Sequence, residues 1–105
     1  MKNIRLGDKE FSLRYSLRAF MLFEQMLSKP FNIETLTDTY VLLYCFLMAT
    51  NKPFDITFEQ YMDLLDENPA AVREFNTWFA EETALQAQAA NPEKKDKKGA
   101  KKARN

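Results

Sequence analysis

Apolar residues occur along this chain in blocks whose length and spacing predict mainly helical structure. The longest block, residues 40 to 49 (YVLLYCFLMA), contains ten apolar or aromatic residues and no charge. Capping residues and acids precede it between Glu34 and Thr39, and Asn51 and Pro53 follow it, which favours a helix over a strand. Such a helix is apolar on every side, so other elements must enclose it. It is too short to span a bilayer, which needs about 20 apolar residues.

The first residues alternate between apolar and polar, which predicts a β-hairpin. Two short segments, residues 4–6 and 11–13, flank a turn at residues 7–10. Pairing Leu6 with Phe11 aligns apolar side chains. Pairing Ile4 with Phe11 instead places Arg5 opposite Glu10 and gives Gly7 a turn position that suits glycine. Both registers remain open, and two strands alone are marginal, so a helix or another chain's strand must support them.

Helix signals flank the central block on both sides. Ser16 caps a predicted helix from Leu17 to about Leu27, and Lys29-Pro30 ends it. Thr57 and Gln60 form a capping box at the start of a third helix, and Asn68-Pro69 starts a fourth. The side chains expected to face inward from these helices and from the loop after the first one are Phe31, Ile33, Phe58, Tyr61, Met62, Leu65, Val72, Phe75 and Phe79, with Trp78 at the border.

The charges balance over the whole chain but are unevenly distributed. Residues 91–105 contain seven basic and two acidic residues, a net charge of +5, so residues 1–90 carry −5 in a neutral chain. The basic segment has no apolar residue larger than alanine, and we expect it to be disordered. The predicted organisation is therefore one helical domain with an N-terminal hairpin over residues 1–90, followed by a disordered lysine-rich tail over residues 91–105.

Little in this composition supports catalysis or metal binding. The chain has no histidine, and its one cysteine, Cys45, lies in the apolar block, where burial makes a thiol unreactive. An acidic stripe on the third helix could hold a divalent cation or provide acid–base groups, but a solvated helix face explains it better; its residues are Glu59, Asp63, Asp66 and Glu67. We expect no enzyme activity, no catalytic residues, no cofactor and no metal. No apolar signal region opens the sequence, so we expect a cytoplasmic protein.

The helices contain more apolar surface than a small core requires. A body of roughly 90 residues leaves much of its surface exposed, so part of this apolar area is expected to bind a partner or a second copy. The candidate partner-binding residues are Phe20, Phe23, Met26, Phe75 and Trp78. The alternative is a bundle that packs all of them internally.

Three segments together resemble the tail assembly chaperones of long-tailed bacteriophages and prophages. They are the opening IRLGDKEFSLRYSLRAF, the run LLYCFLMA and the segment DITFEQYMDLLDENP, which lie within residues 4 to 80. The resemblance implies a mainly helical domain that binds the tape measure protein in the host cytosol and keeps it soluble before the tail tube polymerises. It also implies self-association and a longer product made by ribosomal frameshifting. It brings no catalytic residues, and the lysine-rich tail does not match it.

Two other functions remain as alternatives from the sequence. The basic tail could bind nucleic acid through phosphate contacts without sequence specificity, because it lacks aromatic residues for base stacking. The chain could also be a structural tail or head-completion subunit that stays in the particle.

Overall fold

A buried helix lies at the centre of the fold, and a hairpin and three other helices surround it. The computed structural model describes residues 1–90, so the predicted disordered tail, residues 91–105, lies outside the described residues. In chain order the elements are β1 (Lys2–Leu6), β2 (Lys9–Leu13), α1 (Leu17–Leu27), α2 (Leu36–Thr50), α3 (Phe58–Glu67) and α4 (Ala70–Ala90). The predicted mainly helical fold with a short N-terminal hairpin is confirmed.

The central part of helix α2 is covered on every side. Seven consecutive residues, 41 to 47, each expose 8% or less of their surface. Helix α1 packs along one side of α2, while β2 and α4 cover others. Burying one large apolar side chain contributes about 1.5–3 kcal/mol, so this continuous run makes α2 the main source of core burial.

The ends of α2 are defined by side chains that also bind other elements. Thr35 and Asp38 form a capping box at its N-terminus. At its C-terminus the Asn51 amide nitrogen donates to the carbonyl oxygens of Leu47 and Ser12, at 3.0 and 2.9 Å. The Asn51 side-chain oxygen accepts from the Ser12 N–H at 3.0 Å. One asparagine therefore ends the helix and fixes β2 against it.

The hairpin adopts the register that pairs Ile4 with Phe11 and Arg5 with Glu10. The other register, which pairs Leu6 with Phe11, is wrong. Gly7 has a φ of 67° at the first of the two turn positions, where a left-handed conformation suits glycine. In this register Ile4, Leu6 and Leu13 are all buried against the helices, and this support stabilises a two-stranded sheet that would be marginal alone.

The burial of several side chains differs from what the sequence predicted. Met62 and Ile33 are exposed, at 41% and 39%. Leu64 on α3 is half-buried instead, because the hairpin turn packs over it. The turn is close enough that a Cβ atom added to Gly7 would lie 3.1 Å from Leu64 Cδ2. Trp78, predicted at the border, is buried. The remaining predicted inward residues pack in or against the core: Phe31, Phe58, Tyr61, Leu65, Val72, Phe75 and Phe79.

Helix α4 is longer than the core it covers. Its 21 residues extend about 31 Å. Its buried side chains, Ala71, Phe75 and Trp78, all lie in its first half. From residue 80 to 89 every side chain is exposed except the half-buried Glu82. The second half of α4 therefore extends beyond the body.

Replacing Gly7 with alanine should destabilise the protein. The substitution forces a Cβ into a left-handed conformation, which costs about 1–2 kcal/mol, and brings it against Leu64. Urea denaturation should show this loss for Gly7→Ala, whereas Asp8→Ala, at the exposed neighbouring turn position, should change stability by less than about 0.5 kcal/mol. Equal stability of the two variants would contradict this account of the turn.

Candidate functional site

The structure separates the five candidate partner-binding residues into core and surface. Phe23, Phe75 and Trp78 expose 0%, 1% and 7% of their surface, so they are core residues and not surface contacts. Phe46 of α2 explains the burial of two of them, because its ring lies 5.8 Å from that of Phe75 and 5.5 Å from that of Trp78. The area of these three side chains is buried within the chain.

Phe20 and Met26 remain candidates for partner contact. Phe20 is half-buried, with ring centroids of Phe31 and Phe46 at 4.7 and 5.6 Å. Met26 is 42% exposed, although its sulfur lies 3.7 Å from Cys45 Sγ. Both side chains support the core with one part and reach the surface with another.

The most exposed apolar side chains of α1 are residues that the sequence did not single out. Leu17 and Met21 expose 74% and 60% of their surface. They lie one turn apart, opposite the buried Ala19 and Phe23. We call this pair the α1 outer face. The available signal was the width of the apolar stripe on α1, which exceeds what one core-facing side needs.

A second apolar region lies where the chain passes from α1 to α2. Met26, Ile33 and Leu36 are exposed there, and we call them the α1–α2 corner. Phe31 anchors the connecting loop, because its ring lies 5.1 Å from that of Phe23 and its N–H donates to Glu24 Oε2 at 2.8 Å. Ile33 is therefore presented by a loop that is held in place, and Met26 and Leu36 by the helix ends on either side of it.

Asp38 is the polar centre of this corner. It is 5% exposed, and its Oδ2 accepts from Lys29 Nζ at 2.8 Å and from the backbone N–H groups of Glu34 and Thr35 at 2.9 and 3.2 Å. The Lys29 hydrogen bond, followed by the backbone donors, lowers the pKa of Asp38 from 3.8 to about 2. One carboxylate thus joins the end of α1 to the start of α2. The sequence indicated Asp38 only as an early helix acid.

The acidic stripe on α3 is solvated in the structure. Its four carboxylates are all exposed. A cleft of about 410 Å³ between the hairpin turn and α3 includes Asp63 and Glu67 together with Asp8, Asp55 and Lys9. Within residues 1–90 no group of three or more His, Cys, Asp or Glu side chains is arranged to hold a metal ion.

Cys45 is enclosed by the core. It exposes none of its surface, and burial raises its thiol pKa to about 12. The thiolate is the reactive form of cysteine, and very little of it exists near neutral pH when the pKa is this high. The arrangement gives Cys45 the properties of a small apolar core residue.

No protein-family model, curated protein or solved structure matches this chain. Across the described helices, none is long and apolar enough to cross a membrane.

The hydrogen bonds accepted by Asp38 should make the free energy of unfolding depend on pH under acidic conditions. Because its folded pKa is depressed, its contribution is complete above the unfolded value of 3.8 and is lost as the pH falls toward about 2. Urea midpoints should be lower for Asp38→Asn than for the wild type at neutral pH, and the two proteins should converge between pH 3.8 and 2. Asp63→Asn, which removes an exposed carboxylate, serves as the control. A constant difference across this range would contradict the assignment.

Cys45 should resist thiol reagents in the folded protein. Its complete burial and raised pKa predict that an aromatic disulfide reagent labels it only in denaturant. The labelling rate should follow the fraction of unfolded protein as urea is increased. Stoichiometric labelling within minutes in native buffer would show that the core around α2 opens locally.

Proposed function

We propose that this chain is a bacteriophage tail assembly chaperone that binds apolar helical segments of the tape measure protein. In this proposal it acts in the host cytosol, has no catalytic activity and keeps its client soluble until the tail tube polymerises. The observation that carries the proposal is the exposed apolar surface of the α1 outer face and the α1–α2 corner. The resemblance of three sequence segments to this family supplies the identity of the client.

The α1 outer face suits an apolar helix. Leu17 and Met21 are spaced by four residues and form a ridge along α1, and an apolar helical client presents the same spacing. Methionine is flexible and polarizable, so it adapts to clients whose side chains vary. Ala19 and Phe23 anchor the opposite side of α1 in the core, so the ridge is firmly supported.

The α1–α2 corner can extend this contact to a second region. Apolar surface is exposed there by Met26, Ile33 and Leu36. The hydrogen bond from Lys29 to Asp38 joins the two sides of this corner. Because the loop is held by Asp38 and Phe31, little chain entropy is lost when a client binds, which favours affinity. Phe20 lies behind the surface of α1 and supports it from the aromatic cluster.

Three of the exposed methionines allow a matched test of the client surface. Met21 and Met26 lie on the proposed surface, whereas Met62 lies on α3 with nearly the same exposure as Met26, 41% against 42%. Replacing Met21 or Met26 with lysine should reduce the soluble fraction of a co-expressed tape measure protein. Losing one buried methionine contact costs about 1.5–3 kcal/mol, roughly tenfold or more in affinity. Met62→Lys should keep wild-type activity.

The wild-type result decides the function itself. A tape measure protein that aggregates equally with and without this chain would reject the chaperone proposal and favour a particle subunit or a tail-mediated nucleic-acid function. Equal loss in all three methionine variants, each with unchanged circular dichroism, would leave a chaperone whose binding surface differs from the one proposed.

A further inference from the structure

Met26 connects the surface of the protein with its core. Its side chain is 42% exposed, yet its sulfur lies 3.7 Å from Sγ of Cys45, which exposes none of its surface. Within residues 1–90 this sulfur is the one hydrogen-bond partner of the Cys45 thiol. The contact joins the last turn of α1 to the buried part of α2. A chemical change at the Met26 sulfur therefore reaches the centre of the fold directly.

The other methionines differ from Met26 in exposure or in contact. Met21 and Met62 are 60% and 41% exposed, and Met48 is half-buried on α2. In residues 1–90, Met26 is the methionine whose sulfur accepts a hydrogen bond. Because Met62 matches Met26 in exposure but lacks this bond, it separates the effect of the core contact from the effect of exposure.

We propose that Met26 is an oxidation site through which peroxide weakens the packing of the end of α1 against α2. The Met26 sulfur attacks one oxygen of hydrogen peroxide, the O–O bond breaks, and a sulfur–oxygen bond forms. The second oxygen leaves as water with both protons. The sulfur loses two electrons, the peroxide gains them, and the thioether becomes a sulfoxide.

The sulfoxide does not fit the contact that the thioether makes. A thioether is apolar and polarizable, whereas a sulfoxide is polar, and burying it without a good hydrogen-bond donor is unfavourable. The thiol of Cys45 is only a weak donor. The oxidised Met26 side chain should therefore turn toward water and leave a cavity beside Cys45, which destabilises the packing of α1 on α2.

Cys45 is protected from the same oxidant while the core is closed. It is completely buried, and burial raises its pKa to about 12, so almost none of the reactive thiolate is present near neutral pH. Oxidation of Met26 removes the side chain that covers the thiol on the α1 side. The rate at which a thiol reagent labels Cys45 therefore reports whether Met26 oxidation has opened the core.

Met26 belongs to the α1–α2 corner, so its oxidation also changes the proposed client surface. This consequence rests on the proposed function: the oxidised chain should keep less tape measure protein soluble. The urea midpoint and the labelling of Cys45 need no client, so they test the oxidation site by itself. If both of these change while client solubility does not, the corner is rejected as a client surface and the oxidation site stands.

The test treats the full-length chain with hydrogen peroxide, removes the peroxide and locates each sulfoxide by peptide mass mapping. Oxidation of Met26 should lower the urea midpoint. It should also speed the labelling of Cys45 by an aromatic disulfide reagent about tenfold or more, because access no longer requires global unfolding. Methionine sulfoxide reductases acting on both epimers should restore both values. A Met26 that stays reduced while Met62 is oxidised would overturn the proposal.

Conservative variants separate Met26 from the other methionines. Met26→Leu keeps nearly the same volume but has no sulfur, so the peroxide dose that oxidises Met62 should leave its urea midpoint and Cys45 labelling unchanged. Met21→Leu and Met62→Leu should respond to peroxide as the wild type does. A Met26→Leu protein that loses as much stability in peroxide as the wild type would overturn the proposal.

A polar substitution tests the same contact without an oxidant. Met26→Gln places a polar group where the sulfoxide would form, so it should lower the urea midpoint and speed the labelling of Cys45. Met62→Gln, at the position of equal exposure on α3, should change neither. Equal behaviour of the two glutamine variants, each with the circular dichroism of the wild type, would show that the contact with Cys45 has no special role.

Discussion

The burial of residues 41–47 of α2 is the constraint on which the rest of the structure depends. A helix that is apolar on every side cannot lie at a surface, so the other elements must cover it. Helix α1, the hairpin and α4 each cover one part of α2. On α3, the ring of Tyr61 packs against that of Tyr44 of α2. Contacts of β1 with α3 and α4 add to those that α1, β2 and α4 make with α2.

Polar side chains fix the surrounding elements to α2. Asp38 binds the loop after α1, and Asn51 binds β2. On the α3 side, the Tyr61 hydroxyl donates to the Tyr40 carbonyl, and the Tyr44 hydroxyl donates to the Ile56 carbonyl at 2.6 Å. Buried polar groups of this kind are costly when unpaired, so they select one arrangement of the apolar elements. Asn51 also satisfies the outward N–H and C=O of Ser12, which closes this part of the outer edge of β2.

Features set by local chemistry were predictable from the sequence. The caps Ser16 and Thr57 and the apolar run of α2 gave the helices correctly. The hairpin register was not predictable, because Asn51 binds Ser12 from 39 residues away.

The candidate site was predictable only in part, for the same reason. The sequence indicated surplus apolar surface on α1 but not that Leu17 and Met21 would be exposed while Phe23 was buried. Residue size indicates how much area a side chain buries, and only the packing of distant elements decides where.

Native-state hydrogen exchange tests the central role of α2 most directly. Amides of residues 41–47 should exchange only through global unfolding, with a free energy equal to that from urea denaturation. Exchange of these amides at lower free energy than those of α1 would contradict the account.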